Sequence, residues 1–186
     1  MPMPDIGFSY IARPDARVLV LGSMPGRKSL ALQQYYGHAQ NSFWPIMAEL
    51  FGFSAELDYE TRLSCLLDQQ IALWDVAHQC VRPGSLDQAI EMETVVANDF
   101  ATFFVDHPDV DSIFFNGRKA QQLYQRLIMR AQDRCQTISV PALNVHLLPS
   151  TSPAHASISR QQKLDQWSVV KKALESGADR PYLSHS

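Results

Sequence analysis

Four short apolar runs punctuate the chain: Val18-Leu19-Val20-Leu21, the stretch 71–76 (Ile-Ala-Leu-Trp-Asp-Val), the stretch 110–115, and Val145-His146-Leu147-Leu148. Unbroken apolar runs of this length, bounded by turn-forming residues, predict strands covered on both faces of a sheet. Between them the apolar positions switch to a spacing of three and four. Phe43, Trp44, Met47, Leu50 and Phe51 predict a helix over 41–51, with Asn41 or Ser42 as N-cap, Pro45 tolerated in the first turn and Gly52 at its end. Leu63, Leu66 and Leu67 mark a second helix over 59–70. Further helices are predicted over 95–105, ended by His107-Pro108, and over 119–132. Leu164, Trp167, Val170 and Leu174 give a final amphipathic helix, capped by Ser157 or Ser159 and stopped by Gly177. Strand and helix alternate, which implies an α/β fold: a three-layer αβα sandwich around a central, mostly parallel sheet of about four strands. Residues 1–16, broken by Pro2, Pro4 and Pro14, read as an irregular lead-in to a single domain over 1–175, and 176–186 read as a flexible tail.

At 186 residues the chain can bury a substantial core without disulfides or metal. It has no run of 18 apolar residues, and its first residues lack the basic region and apolar core of a secretion signal, so a cytoplasmic protein without a membrane span is expected. Cys65, Cys80 and Cys135 are odd in number and widely spaced, which argues against a disulfide framework and against an iron–sulfur cluster, which usually takes four thiolates. There is no HExxH or CxxC pattern and no GxxxxGK[ST] loop, so neither metal nor cofactor is expected. The formal net charge of −3 speaks against holding nucleic acid by bulk electrostatics. Local contact stays open. Arg27 and Lys28, Arg118 and Lys119, and His155 and Arg160 all follow predicted strand ends, where they serve either as solvated surface or as phosphate contacts.

The candidate chemistry sits at the same strand ends. Gly22-Ser23-Met24-Pro25-Gly26 follows the first strand, where an open α/β sheet places its ligands; taken alone, it is as readily an ordinary tight turn. Just beyond it, Tyr35-Tyr36-Gly37-His38 and Asn41-Ser42-Phe43-Trp44 gather aromatic and amide side chains suited to gripping a flat heterocycle. Asp75 ends the second strand, where a carboxyl among apolar neighbours is costly unless bonded: it caps the next segment or accepts from a base N–H. Asn116-Gly117 ends the third strand, as a left-handed turn or as a further site residue. After the last strand, Pro149-Ser150-Thr151-Ser152-Pro153 forms a stiff loop of small hydroxyl residues, either a simple turn or a clamp for a backbone phosphate.

Taken together, GSMPG after a buried strand, then QYYGH and NSFW, and far downstream LPSTSPA resemble the uracil-DNA glycosylase superfamily and, within it, the hypoxanthine-DNA (deoxyinosine) glycosylase branch. The resemblance covers roughly Ile6 to Leu174. It implies a monofunctional base-excision enzyme that flips a deaminated base, hypoxanthine foremost, out of DNA and hydrolyses its glycosidic bond. In the roles it implies, Gly22, Ser23, Met24, Pro25 and Gly26 form the pocket floor, Tyr36 stacks on the base with Phe43 in the same pocket, and Asp75 and Asn116 read the base edge. Asn41 is the main catalytic candidate, positioning water or stabilising the leaving base. Pro149, Ser150, Thr151, Ser152 and Pro153 hold the flanking phosphate and fill the emptied stack. Two departures stand out. Met24 occupies the position where the uracil enzymes carry an aspartate or asparagine that orients water, and Asp75 stands where they carry an amide. The expected partner is DNA containing deaminated bases, bound by a monomer. The alternatives are a uracil or thymine mismatch glycosylase, or a non-catalytic DNA- or nucleotide-binding module of the same fold.

Overall fold

The computed structural model describes residues 3–84, 86–130 and 141–176. The strands β1 (Asp5–Ile6) and β2 (Val18–Gly22) are followed by the helices α1 (Arg27–Leu32), α2 (Phe43–Phe51) and α3 (Tyr59–Asp68). Then come β3 (Ile71–Asp75), β4 (Ala77–Cys80), β5 (Val96–Ala97), α4 (Phe100–Asp106), β6 (Ser112–Asn116), α5 (Arg118–Tyr124), β7 (Asn144–Leu148) and α6 (Arg160–Ser176). The main sheet runs β3-β2-β6-β7 and is parallel throughout. All five residues of β2, β3 and β6 are buried because successive side chains alternate between two covered faces. Leu19, Leu21, Ala72, Trp74, Ile113 and Phe115 join one core with the apolar faces of α4 and α5. Val18, Val20, Ile71, Leu73 and Phe114 join the other with α2, α3 and α6, around the fully buried Trp167. This is the αβα sandwich implied by the alternation of elements.

Three local expectations are corrected. The lead-in is not wholly irregular: β1 pairs with β4, and Ile11 exchanges two hydrogen bonds with Leu73, covering the outer edge of β3. With β5 these pieces form a second, small antiparallel sheet, β1-β4-β5, whose two-to-four-residue strands are too short to leave a periodic pattern. The helix expected over 95–105 starts later, at Phe100. Asn98 donates its side-chain amide to the Asp75 carbonyl, and Asp99 accepts from Thr102 N–H, so helix entry follows the cap rather than the run of valines before it. The helix expected over 119–132 begins one residue earlier and passes into a π-helical turn at Gln125–Met129; its last two positions, Cys135 and Gly177 lie outside the described residues, as does nearly all of the expected tail. Elsewhere the caps follow the sequence. Gly52 takes φ +74° at the end of α2, and Ser159 and Gln162 cap α6 reciprocally, each side chain accepting the other's backbone N–H.

Candidate active site

Parallel register brings the functional segments together. Gly22 lies opposite Asp75 across the β2–β3 pair, and Asn116 lies opposite Leu148 across β6–β7, so four strand C-termini open onto one edge of the sheet. A cleft of about 920 Å³ lies there, reached by Gly22 to Gly26, Tyr36, Asn41, Asp75, Asn116 and the loop 150–153. A smaller hollow of about 230 Å³ beside Phe51, Asp68 and Lys171 lies at the opposite ends of the strands, away from these groups.

The first loop is held by its own polar groups. Ser23 Oγ donates to Asp87 Oδ1 at 2.7 Å, and the carbonyl of Pro25 accepts from Arg82 Nη2 at 2.8 Å. Arg82 is fully buried and also pairs with Asp5 at 2.9 Å. Met24 is 5% exposed and joins the core beneath the loop; its thioether brings the pocket no water-orienting group. Gly22 is required by space: a Cβ there would stand 2.2 Å from Asp75 Oδ1 and 3.6 Å from the Tyr36 hydroxyl. Its bare Cα is what lets the Asp75 carboxyl fold over the strand end.

Asp75 is 4% exposed, and its Oδ2 is buried with no hydrogen-bond partner among the described residues. Burial pushes its pKa up to about 8; the neighbouring Asp87 pushes the same way, and Arg82 opposes them. The carboxyl is therefore un-ionised at neutral pH. Asp87 is itself raised, by burial, against the Ser23 hydrogen bond and the charges of Arg82 and Lys119. Tyr36, at φ +56°, is one of the few non-glycine residues in the left-handed region, a strained conformation of the kind found at binding sites. Its hydroxyl has no hydrogen bond of ordinary geometry, and burial, with Asp75 next, holds its pKa well above the usual tyrosine range while Asn116 opposes.

Asn41 lines the cleft, and its Oδ1 accepts the Phe43 N–H at 2.9 Å, which fixes the side chain at the start of α2. Capping and a role in the cleft are thus compatible: the second Oδ1 lone pair and both Nδ2 hydrogens stay available. Phe43 does not line the cleft. It is fully buried and stacks beneath Tyr36, ring centroids 3.9 Å apart and planes 26° apart, so it supports the tyrosine that reaches the cleft. Asn116 is a clamp: Oδ1 accepts from Thr151 N–H and Nδ2 donates to Thr151 Oγ1, both at 2.9 Å. The positive φ, +95°, belongs to Gly117, where a Cβ would come within 3.0 Å of Ser150. Thr151, 1% exposed, also takes the Ser42 N–H and hydroxyl on its carbonyl, so it is an anchor rather than an exposed donor. Ser150 and Ser152 remain half-buried at the cleft. From α6, Trp167 donates to the Pro149 carbonyl and Lys163 to that of His155. Asn116→Ala removes both bonds to Thr151 and strands a buried N–H. The expected cost is about 2–3 kcal/mol, read from urea denaturation.

Arg27, Lys28, Arg118, Lys119 and His155 rim the cleft, giving a locally basic mouth on an acidic chain; Arg160 is not among its lining residues. Sequence reasoning missed Arg82 and Asp87 as neighbours of the site, and both line the cleft. Among the described residues no group of three or more His, Cys, Asp or Glu could hold a metal ion, and no helix is long and apolar enough to cross a membrane.

Comparison with known proteins agrees with this architecture. A protein of Methanosarcina acetivorans named hypoxanthine DNA glycosylase is 32% identical over 165 residues, 88% of this chain and 96% of the relative. One of the same name from Methanosarcina barkeri is 34% identical over 119 residues, 63% of this chain and 74% of the relative. A solution NMR structure from Methanosarcina acetivorans, described as a candidate uracil DNA glycosylase, superposes with a TM-score of 0.75 at 33% identity, covering 93% of this chain and 99% of that one. The family model of the Uracil DNA glycosylase superfamily matches residues 8–175, and the chain belongs to that superfamily.

Proposed function

We propose that the protein is a DNA glycosylase that takes a deaminated base, hypoxanthine foremost, out of the helix and hydrolyses its N-glycosidic bond. The observation that carries the reading is the cleft at the strand C-termini, where Asn41, Asp75 and Tyr36 meet beneath a basic rim. A base inside a duplex is out of reach of any such cleft, so the nucleotide must be flipped or single-stranded. The rim cations meet the phosphates, and the Ser150 and Ser152 hydroxyls, on a loop locked by Asn116 and Trp167, are placed to hold the flanking backbone. Tyr36, backed by Phe43, gives the base a flat wall. Asn41 holds the attacking water on Oδ1 or donates from Nδ2 to the departing base, while the phosphates stabilise the cationic sugar. The names of the two Methanosarcina relatives support hypoxanthine over uracil or thymine.

The test is base release from oligonucleotides carrying one deoxyinosine, deoxyuridine, deoxyxanthosine or G·T mismatch, single- and double-stranded, with alkali added afterwards to cut abasic sites. Hypoxanthine is expected to be released fastest, with strand breaks only after alkali and no borohydride-trapped adduct. Faster release of uracil or thymine overturns the substrate; DNA binding with no release of any base moves the protein to a binding module.

A further inference from the structure

We propose that Asp75 is the general acid of the reaction, giving its proton to the purine as the base departs. The inference rests on the glycosylase reading above and adds the group that makes a purine a workable leaving group. Asp75 is the terminal residue of β3, folded over the bare Cα of Gly22 at the cleft floor, with Oδ2 buried and unpartnered. An unpartnered buried carboxyl is expensive wherever it serves only the fold, and most buried polar groups are hydrogen-bonded.

Burial first, and Asp87 beside it, keep it from ionising, against the pull of Arg82. Its flanking acid, Asp87, is occupied by Ser23, and the cation that could neutralise it, Arg82, is engaged by Asp5 and the Pro25 carbonyl. The tyrosines whose ionisation feels its charge, Tyr35, Tyr36 and Tyr59, are all raised, so they too stay neutral. Asp75 thus offers a proton from a buried position on the cleft at neutral pH, with its pKa near the working pH as general acid catalysis prefers. The histidines at the cleft, His38 and His155, are half-buried and exposed respectively, unlike the buried Asp75.

The step balances without another reactant. The C1′–N9 bond breaks and its electron pair passes into the purine. The Asp75 proton adds at N7 or O6, so the base leaves neutral. Water bonds to C1′ and gives up a proton to solvent, from which the Asp75 carboxylate is re-protonated.

The experiment is single-turnover release from deoxyinosine DNA at pH 5.5–9.5 by wild type and Asp75→Asn. It is repeated at pH 5.5 on N7-methyldeoxyinosine DNA, whose base at that pH already carries the positive charge that protonation would supply. Binding to uncleavable 2′-fluorodeoxyinosine DNA monitors the site. Wild-type release is expected to fall about tenfold per pH unit above pH about 8, as the proton is lost. Asp75→Asn is expected to be about 10²–10⁴-fold slower at pH 7, without the alkaline fall, and within about threefold of wild type in binding and on the N7-methyl substrate. A variant within threefold of wild type on deoxyinosine overturns the proposal, as does an equal loss on both substrates. Should the variant not fold, a wild-type profile flat to pH 9.5 overturns it, and the expected alkaline fall supports it. If wild type releases no base from any substrate, the glycosylase reading itself has failed, whereas an active wild type matched by its variant sinks only the role of Asp75.

Discussion

Asn41→Ala is expected to slow base release by about 10²–10³-fold while DNA binding stays within about threefold of wild type. The phosphate-facing groups lie on the rim and the 150–153 loop, so affinity does not depend on this amide. The substitution also removes the acceptor for Phe43 N–H at the start of α2, for which about 1 kcal/mol of stability is expected to be lost. A companion variant separates the two effects. Asn41→Asp keeps that acceptor, and a carboxylate at a helix start is favourable, so the fold is retained while the Nδ2 donors are lost. If Asn41→Asp is active and Asn41→Ala is not, the group works by accepting a hydrogen bond from the attacking water. If both are inactive, it works as a donor to the departing base. An Asn41→Ala enzyme with wild-type single-turnover rate removes Asn41 from the mechanism.

Stability is expected to fall as pH rises from about 5 to about 8, opposite to the usual behaviour of a buried salt-bridged carboxylate. The native pKa of Asp75, about 8, stands above the 3.8 of a free aspartate, so between these limits the folded state holds a proton that the unfolded chain has released. Each pH unit in that window costs about 1.4 kcal/mol, so the loss from pH 5 to 8 is on the order of 3–4 kcal/mol. Asp87 is raised and acts in the same sense. The exposed helix caps Asp58 and Asp99 are lowered and act in the opposite sense, at more acid pH. Asparagine is neutral in both states. Asp75→Asn is therefore expected to flatten the profile and to raise the melting temperature at pH 8 by roughly 6–10 °C. A stabilised but inactive variant is what a site that retains a costly group for its chemistry should give. Denaturant titrations at three pH values suffice, and a wild-type stability that rises toward pH 8 excludes the un-ionised carboxyl.

Much of the site was legible because its signals are local. Gly22, Asp75, Asn116 and Pro149 each stand at or just after the end of an apolar run, and a parallel sheet carries all such ends to one edge. The small β1-β4-β5 sheet was not legible, since its strands are held by pairing across 17 to 75 residues and carry no period of their own.

The sequence by itself determined the αβα sandwich, the order of its loops and membership of the superfamily, because burial on two faces and turn chemistry are written in neighbouring residues. Only the tertiary structure decided what each polar group does there. Phe43 went beneath Tyr36 because α2 packs that face into the core, and Asn116 became a clamp because Thr151 arrives within 2.9 Å of it. Asp75 became an un-ionised acid because Gly22 leaves it room to be buried at the strand end and Asp87 adds to the effect of burial, against Arg82, both of them beyond β3 in the chain. Protonation and hydrogen-bond partnership depend on distance and dielectric, and these exist only once the chain has folded.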